Sequence, residues 1–342
     1  MDQALALSDW AGFAERRRES ESLGCRRGIG LGLWLHASGG NPVEVSQVEL
    51  AADCVIVRTG TQSAGQGHET AFAQLVAHRL QIPYERVRVI QGDTDSIATG
   101  GGTGGSSSLP IGATTIDRAT GQMLALAREL AADMLETAAL DMEYGDGRLT
   151  VAGTDVSLGL FDVGARRDAE QTRTCIGESA FEGEHCTYPN GAYVCEVCID
   201  AETGQVRIES FTCVDDLGTV LNPAIATGQI IGGVVQGIGQ ALLEGTVYDA
   251  DSAQLLSGSF MDYALPRADD VPVFTTLLTG QPSRNNPLGM KGAGEVGPIG
   301  APAAVANAVV DALRGQDFDM PATPERIWLA MGGAGAERTD GS

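Results

Sequence analysis

The chain has 342 residues, 43% of them hydrophobic, and a mean hydropathy of −0.01, which is room for two domains with real cores in a water-compatible chain. Its 45 acidic residues outnumber 22 basic ones, and the net charge of −23 excludes a nucleic-acid partner. No apolar run reaches the roughly 18–20 residues that cross a bilayer, so no membrane span is expected.

Residues 1–24 read as a charged helical entry segment that docks on a neighbour. The start has no basic stretch leading into an apolar one, which predicts no signal peptide and a cytoplasmic location. Free thiols are then the expected state of the seven cysteines. Residues 27–35 read as a strand. Its Gly28, Gly30 and Gly32 resemble a fragment of a dinucleotide fingerprint, but a turn follows instead of a helix, so an edge or bulged strand is expected. Residues 43–50 and 54–58 alternate and pair as strands. Residues 70–80 have helical spacing, 86–90 form a strand, and 111–140 form a long helical stretch with Gly121 as its candidate interruption. After a strand at 148–151 the pattern is weak as far as residue 184. Residues 194–199 and 206–214 then form a hairpin. A helix at 224–244, a strand at 274–279 and a helix at 302–313 complete the chain. Interleaved helices and strands with frequent hairpins predict an α+β fold rather than a doubly wound parallel sheet. The expected division is an entry segment (1–24), two α/β subdomains (25–165 and 166–330) and a flexible tail (331–342).

Four segments carry chemistry. Gly289-Met290-Lys291-Gly292-Ala293-Gly294-Glu295-Val296-Gly297 sets one carboxylate among four glycines. Such glycine density stabilises nothing by itself. It lets backbone pass close to a bulky ligand, and a carboxylate delivered there is a candidate general base. A surface turn is the plain alternative. Gln66-Gly67 precedes a helix, where amide N–H groups are free to meet anionic oxygens. The run from Gly100 to Ser108, including Gly104, Gly105, Ser106 and Ser107, has an anion-friendly composition. It lacks the lysine of a Walker loop, and it lies between a strand and a long helix, a poor place for a linker. On the helix at 224–244, Gln229, Gly233, Gln236 and Gln240 share one face, which serves either close packing or a ligand. Competing chemistry is weak. Cys195 and Cys198 lie three apart on a strand and face opposite sides, which excludes a shared ion. The four histidines form no ligand pattern, and no Gly-x-Ser-x-Gly elbow exists.

The Glu295 segment resembles the active-site loop of the xanthine dehydrogenase, aldehyde oxidase and aerobic carbon monoxide dehydrogenase family of molybdenum hydroxylases. Thr61 to Thr70 resembles its first cofactor loop. Asp93-Thr94-Asp95 with Gly100–Ser108 resembles the second, and Asn222-Pro223, Gly228-Gln229 and Gln236-Gly237-Ile238-Gly239 the third. Ser259 to Tyr263 and Pro321 to Trp328 also fit, in family order. The resemblance implies two α/β subdomains of the molybdenum-hydroxylase cofactor-binding type. They hold a molybdenum–pterin cofactor, in the molybdopterin cytosine dinucleotide form, with no protein side chain on the metal. It further implies that Glu295 is the catalytic base and that Gln66, Gly67, Gly104, Gly105, Ser106, Ser107, Gln229, Gln236, Lys291 and Gly292 hold the cofactor. The expected function is hydroxylation of a small substrate (an aldehyde, N-heterocycle, purine or carbon monoxide) with oxygen from water. The alternative is a non-catalytic cofactor-holding or assembly subunit, which has no need of Glu295. The family's N-terminal half, its iron–sulfur cysteines and its flavin portion have no counterpart here. The implied partners are therefore the N-terminal molybdenum-binding half (a separate subunit or a missing domain), a 2Fe-2S subunit and an FAD subunit.

Overall fold

A computed structural model describes residues 1–39, 43–97, 99–170, 175–182 and 185–332. The entry segment forms α1 (Asp2–Leu7) and α2 (Phe13–Ser22). Strand β1 (Cys25–Leu35) follows, then the antiparallel pair β2 (Val43–Leu50) and β3 (Val55–Thr59). The alternation predicted for β2 is real: Glu44, Ser46, Val48 and Leu50 are buried and the residues between them are not. Helix α3 (His68–Leu80) crosses to β4 (Val87–Gln91), which runs parallel to β3. A π-helical turn (Ser108–Ala113) opens α4 (Thr114–Met134), which buries Ile116, Ala119, Met123, Ala127 and Leu130 at helical spacing. Gly121 does not interrupt it.

The weakly patterned stretch holds a three-stranded antiparallel sheet of β5 (Met142–Gly145), β6 (Arg148–Val151) and β7 (Ser157–Gly159), then α5 (Leu160–Glu170) and β8 (Ile176–Glu182). The hairpin of β9 (Asn190–Asp200) and β10 (Val206–Asp216) leads through α6 (Pro223–Leu242) to β11 (Phe274–Thr279), parallel to β10. Two helices close the chain, α7 (Val296–Ala312) and α8 (Pro324–Ala330). Helix α7 starts six residues earlier than the expected start at residue 302. Pro298 falls in its first turn, where the missing N–H costs nothing, and the ring of Pro302 sits inside the helix against Gly237 of α6. The expected tail falls outside the described residues from 333 onward.

The chain builds one architecture twice. One sheet has the order β4-β3-β2-β8 and the other β11-β10-β9-β1. In each, a hairpin is extended by a crossover helix (α3 or α6) to a parallel edge strand, and a glycine-containing loop then leads to a long helix (α4 or α7). That helix packs on the sheet next to an antiparallel edge strand, α4 on β8 and β2, α7 on β1 and β9. The edge strands are exchanged along the chain: β1 joins the later sheet and β8 the earlier one. The glycines of β1 are explained by this packing. Cβ atoms on Gly28, Gly30 or Gly32 would strike the backbone of α7, so the fingerprint-like spacing is a flat track for a helix. As expected, β1 is an edge strand, and its pairing with β9 carries no register shift.

Each unit has its own apolar core. One gathers β2, β3, α3 and α4 around Phe72, Ile116, Met123 and Leu149; the other gathers β9, β10, α6 and α7 around Tyr193, Phe211, Ile230 and Ile238. The entry helices cover the far face of the second sheet of this same chain, with Ala4 and Phe13 on Ala192, Val194 and Val214. Arg16 and Arg27 pair with the buried Glu196 of β9, at 2.5 and 2.8 Å. The expectation of free thiols is corrected at one pair. Cys25 of β1 and Cys198 of β9 are joined as a disulfide across neighbouring strands, with Cα atoms 5.8 Å apart. Cys195 points the other way, into the core, as the strand period requires. Among the described residues no helix is long and apolar enough to cross a membrane, and no His/Cys/Asp/Glu group is arranged to hold a metal ion.

Candidate active site

The repeated architecture brings four loop–helix junctions to one cleft of about 560 Å³, within the usual range for ligand sites. Residues 64–66 lead into α3, residues 104–109 into α4, residues 217–222 into α6 and residues 291–295 into α7. Four loop–helix junctions thus border one space; α6 is already capped by Asn222 Oδ1 on the Ile225 N–H, whereas an uncapped helix start favours an anionic or oxygen-rich ligand. At α3 no side chain caps the helix, so its first amides stay free for a ligand. His68 opens that helix and lines the cleft. It is buried, its Nδ1 has no partner among the described residues, and burial pushes its imidazole pKa down. The overall acidity of the chain does not extend here. Glu295 is the one carboxylate lining the cleft among the described residues, and Lys291 pairs at 2.8 Å with Asp216, which lies outside the lining.

The walls are held by backbone. Gly218 and Met290 form a bridge, the Lys291 N–H donates to Leu217 O, and Asn286 brackets Met290 through both its amide atoms. Gly292 donates to Ser38 Oγ at 3.2 Å and packs so tightly on Ser106 that a Cβ there would meet the Ser106 carbonyl. Gly105 and Ser106 both take left-handed backbone (φ 56° and 55°) and turn the loop over towards Glu295. Beneath the glycine run, Gly100 crosses Gly60 backbone to backbone, over the buried Glu44. Burial pushes the Glu44 carboxyl up to about 7, against the pull of the Gly101 and Val45 amides.

Glu295 stands immediately before α7 and does not cap it. Its side chain is 49% exposed into the cleft. Oε2 accepts a hydrogen bond from Ser106 Oγ at 2.8 Å and lies 3.1 Å from His36 Nε2. Oε1 has no partner among the described residues, so the carboxylate is held at one oxygen and available at the other.

Of the residues singled out from sequence, Gln66, Gly104, Gly105, Ser106, Gln229, Lys291, Gly292 and Glu295 all line this cleft. Gln66 already braces its own loop: its Oε1 accepts from the Ala64 amide at 2.6 Å and its Nε2 donates to Thr103 Oγ1 at 3.2 Å. Gln229 has no hydrogen-bond partner among the described residues and is free for a ligand. Lys291 lines the cleft while its ammonium donates to Asp216 at the end of β10, tying the loop to that strand. Gly67 stands just behind the lining as the N-cap of α3, over Ile225. Ser107 is buried and turned back onto Gly104 O at 2.9 Å. Gln236 lies outside the cleft, on the exposed side of α6. Seven residues return it to the angle of Gln229 but carry it about 10 Å along the axis, beyond the first turns that face the ligand space. Reading the sequence missed His36 and His68. A lone histidine in a turn carries no pattern, whereas His68, next to Gln66-Gly67, could have been read as the first residue of the helix. A larger cavity of about 820 Å³, between α2, β1, β9 and the end of α6, contains none of the glycine loops.

The family model of the molybdopterin cofactor-binding domain matches residues 3–272. The chain is 36% identical, over 96% of its length, to the gamma subunit of the 6-hydroxypseudooxynicotine dehydrogenase complex of Paenarthrobacter nicotinovorans, and covers 42% of that subunit. It is 34% identical to the carbon monoxide dehydrogenase large chain of Hydrogenophaga pseudoflava, covering 96% of this chain and 43% of that one. The crystal structure of quinoline 2-oxidoreductase from Pseudomonas putida 86 superposes with a TM-score of 0.86 at 33% identity, covering 97% of this chain and 45% of that one. The chain therefore spans less than half the length of the relatives it matches.

Proposed function

Because the chain belongs to the molybdopterin cofactor-binding domain family, we propose that it is the base-bearing half of the large subunit of a molybdenum hydroxylase. The observation that carries this is the cleft itself: four loop–helix junctions, the uncapped start of α3, an orphaned His68 nitrogen and an unpaired Gln229 surround a single carboxylate with one free oxygen. This donor set fits a pterin dinucleotide. The amides at the start of α3 and His68 suit phosphate oxygens, Gln66 and Gln229 suit neutral heterocycle edges, and the glycines at 104, 105 and 292 let the backbone come close. Gly67 and Ser107 support these loops from behind. When bound, the cofactor supplies electron acceptance and the activation of water. Glu295 then takes the proton of the attacking oxygen at Oε1 as the substrate carbon is attacked.

The substrate is a small molecule with an electrophilic carbon: an aldehyde, an N-heterocycle, a purine or carbon monoxide. The dinucleotide is the cytosine form. The two cofactor-binding halves, divided at 165/166 within α5, exchange their edge strands. An N-terminal half, as a separate subunit or as a further domain, closes the cleft, and 2Fe-2S and FAD subunits carry electrons away, in the cytoplasm. Glu295→Gln in the assembled enzyme keeps the side chain's shape and removes its basicity. It is expected to leave molybdenum and pterin content near the wild-type level and to cut turnover at least about a hundredfold. Unchanged turnover would overturn the catalytic role and leave a cofactor-holding subunit. Loss of cofactor would make Glu295 a binding residue.

A further inference from the structure

We propose that His36 is a positioning residue: with Ser106 it clamps Oε2 of Glu295, so that Oε1 alone is presented as the proton-accepting oxygen. This rests on the reading of Glu295 as the base. Three segments far apart in sequence meet at one atom. Ser106 Oγ donates to Oε2 at 2.8 Å across 189 residues, and His36 Nε2 stands 3.1 Å from the same oxygen across 259 residues. An ionised carboxylate only accepts hydrogen bonds, so the His36 nitrogen facing it must carry a hydrogen. Two donors on one oxygen stop the carboxylate from rotating, and they occupy that oxygen while its twin stays open.

The supports of the clamp are rigid. The His36 N–H donates to Pro189 O, and Ser38 and Thr187 exchange backbone hydrogen bonds at 2.9 and 2.8 Å. Their buried hydroxyls lie 2.5 Å apart, and both also reach the Gly292 amide of the Glu295 loop. Gly39 donates to Gly105 O at 2.7 Å, which ties the histidine segment to the loop that carries Ser106. Both donors and the acceptor therefore sit on one stitched unit made of the 36–39, 104–106, 187–189 and 289–295 segments. The His36 side chain is only 18% exposed, while Glu295 is 49% exposed. The donor is sheltered and the acceptor's open side faces the cleft. In the proton-transfer step the O–H bond of the attacking hydroxyl breaks and an Oε1–H bond forms. His36 keeps its own hydrogen throughout.

Two measurements test this. In the chain itself, labelled with ¹⁵N-histidine, long-range ¹H–¹⁵N spectra report which ring nitrogen of His36 carries the hydrogen. The expected result is an Nε2–H signal at pH 8 that is lost or redistributed in Glu295→Ala. An Nδ1–H ring, or a signal indifferent to Glu295→Ala, overturns the clamp without any activity being measured. In the assembled enzyme, His36→Phe removes the donor. It is expected to lower kcat roughly ten- to a hundredfold, the range for a misplaced catalytic group, with KM and cofactor content unchanged. His36→Gln, which restores an N–H at similar reach, should recover most of that loss. Full kcat in His36→Phe alongside a dead Glu295→Gln rejects the clamp and leaves the base. Full kcat in Glu295→Gln rejects the base itself. If His36→Phe fails to fold, the spectrum of the wild-type chain decides.

Discussion

Glu44 is buried on β2 with Oε1 unpartnered among the described residues, beneath the crossing of Gly60 and Gly100. Its alternating position made it look like any inward-facing strand residue, and nothing in its neighbours marked it as a carboxylate among apolar side chains. Burial raises its pKa from 4.5 to about 7. The folded state therefore holds this proton more tightly than the unfolded chain. The resulting stability is fully present below about pH 4.5 and is lost as pH rises through about 7. Above that, the buried ionised carboxylate opposes folding. Asp215, buried in the other core and likewise raised to about 7, has the same sign, so Glu44 accounts for only part of the slope. Glu44→Gln keeps an acceptor for the Gly101 amide without the charge. Chemical denaturation is expected to show the variant more stable than wild type at pH 8 by up to about 3 kcal/mol, with the difference shrinking towards pH 5. Equal stability at both pH values would mean that the carboxylate is not held in an apolar setting. Glu295, by contrast, was legible in sequence because its setting is extreme: one acid in a run of glycines. His36 was not, because what recruits it is a contact across 259 residues.

Helix α7 is the element on which the second unit turns, since it carries Glu295 at its start and packs along β1 for most of its length. Its body was legible from the small apolar residues after Pro302. Its start was not, because a proline reads as a boundary, whereas tertiary packing against Gly237 accommodates it inside the helix. Helix α5 and strand β8 were missed for a related reason. Each has a glycine that is unfavourable in isolation and required in place: a Cβ on Gly164 would strike Ala51 O, and one on Gly177 would strike Ala119 O. Glycine to alanine should therefore have opposite signs in different elements. Gly30→Ala puts a methyl group into the α7 backbone at Ala304 and Ala308 and is expected to destabilise the chain by roughly 1–3 kcal/mol or more. Gly121→Ala, at a position on α4 with nothing within 4 Å, is expected to stabilise it by up to about 1 kcal/mol. Thermal unfolding of the two variants side by side measures both. A harmless Gly30→Ala would show that β1 and α7 are not in close contact.

Across the whole molecule, the α+β class, the hairpins and the three glycine-bearing loops that meet at the cleft were legible because each is a local pattern of period or glycine density. The exchange of edge strands was not, because β1 and β9 pair across more than 150 residues with no local signature. The doubled architecture yields one wall of a site. Its cleft leaves Glu295 half exposed and open space where a side chain on Gly65 would point, and the segment between α6 and β11 presents Phe260 and Met261 at 82% and 93% exposure. Ligand sites of this size enclose roughly 70–90% of what they bind, and a molybdopterin cofactor on a single wall cannot reach that. The chain covers 42% of one relative and 43% of another, so the second wall is expected from the part of those relatives that this chain does not span. Produced alone, the chain should fold, remain soluble at its net charge of −23 and leave gel filtration with little molybdenum or pterin. Produced together with the half that completes the large subunit, it should co-elute with that half, with metal and pterin approaching one per complex. Elemental analysis for molybdenum and the fluorescence of oxidised pterin measure the two contents independently. Stoichiometric cofactor retained by the chain alone would mean that one wall suffices, and the partner half would then serve substrate choice and not cofactor retention.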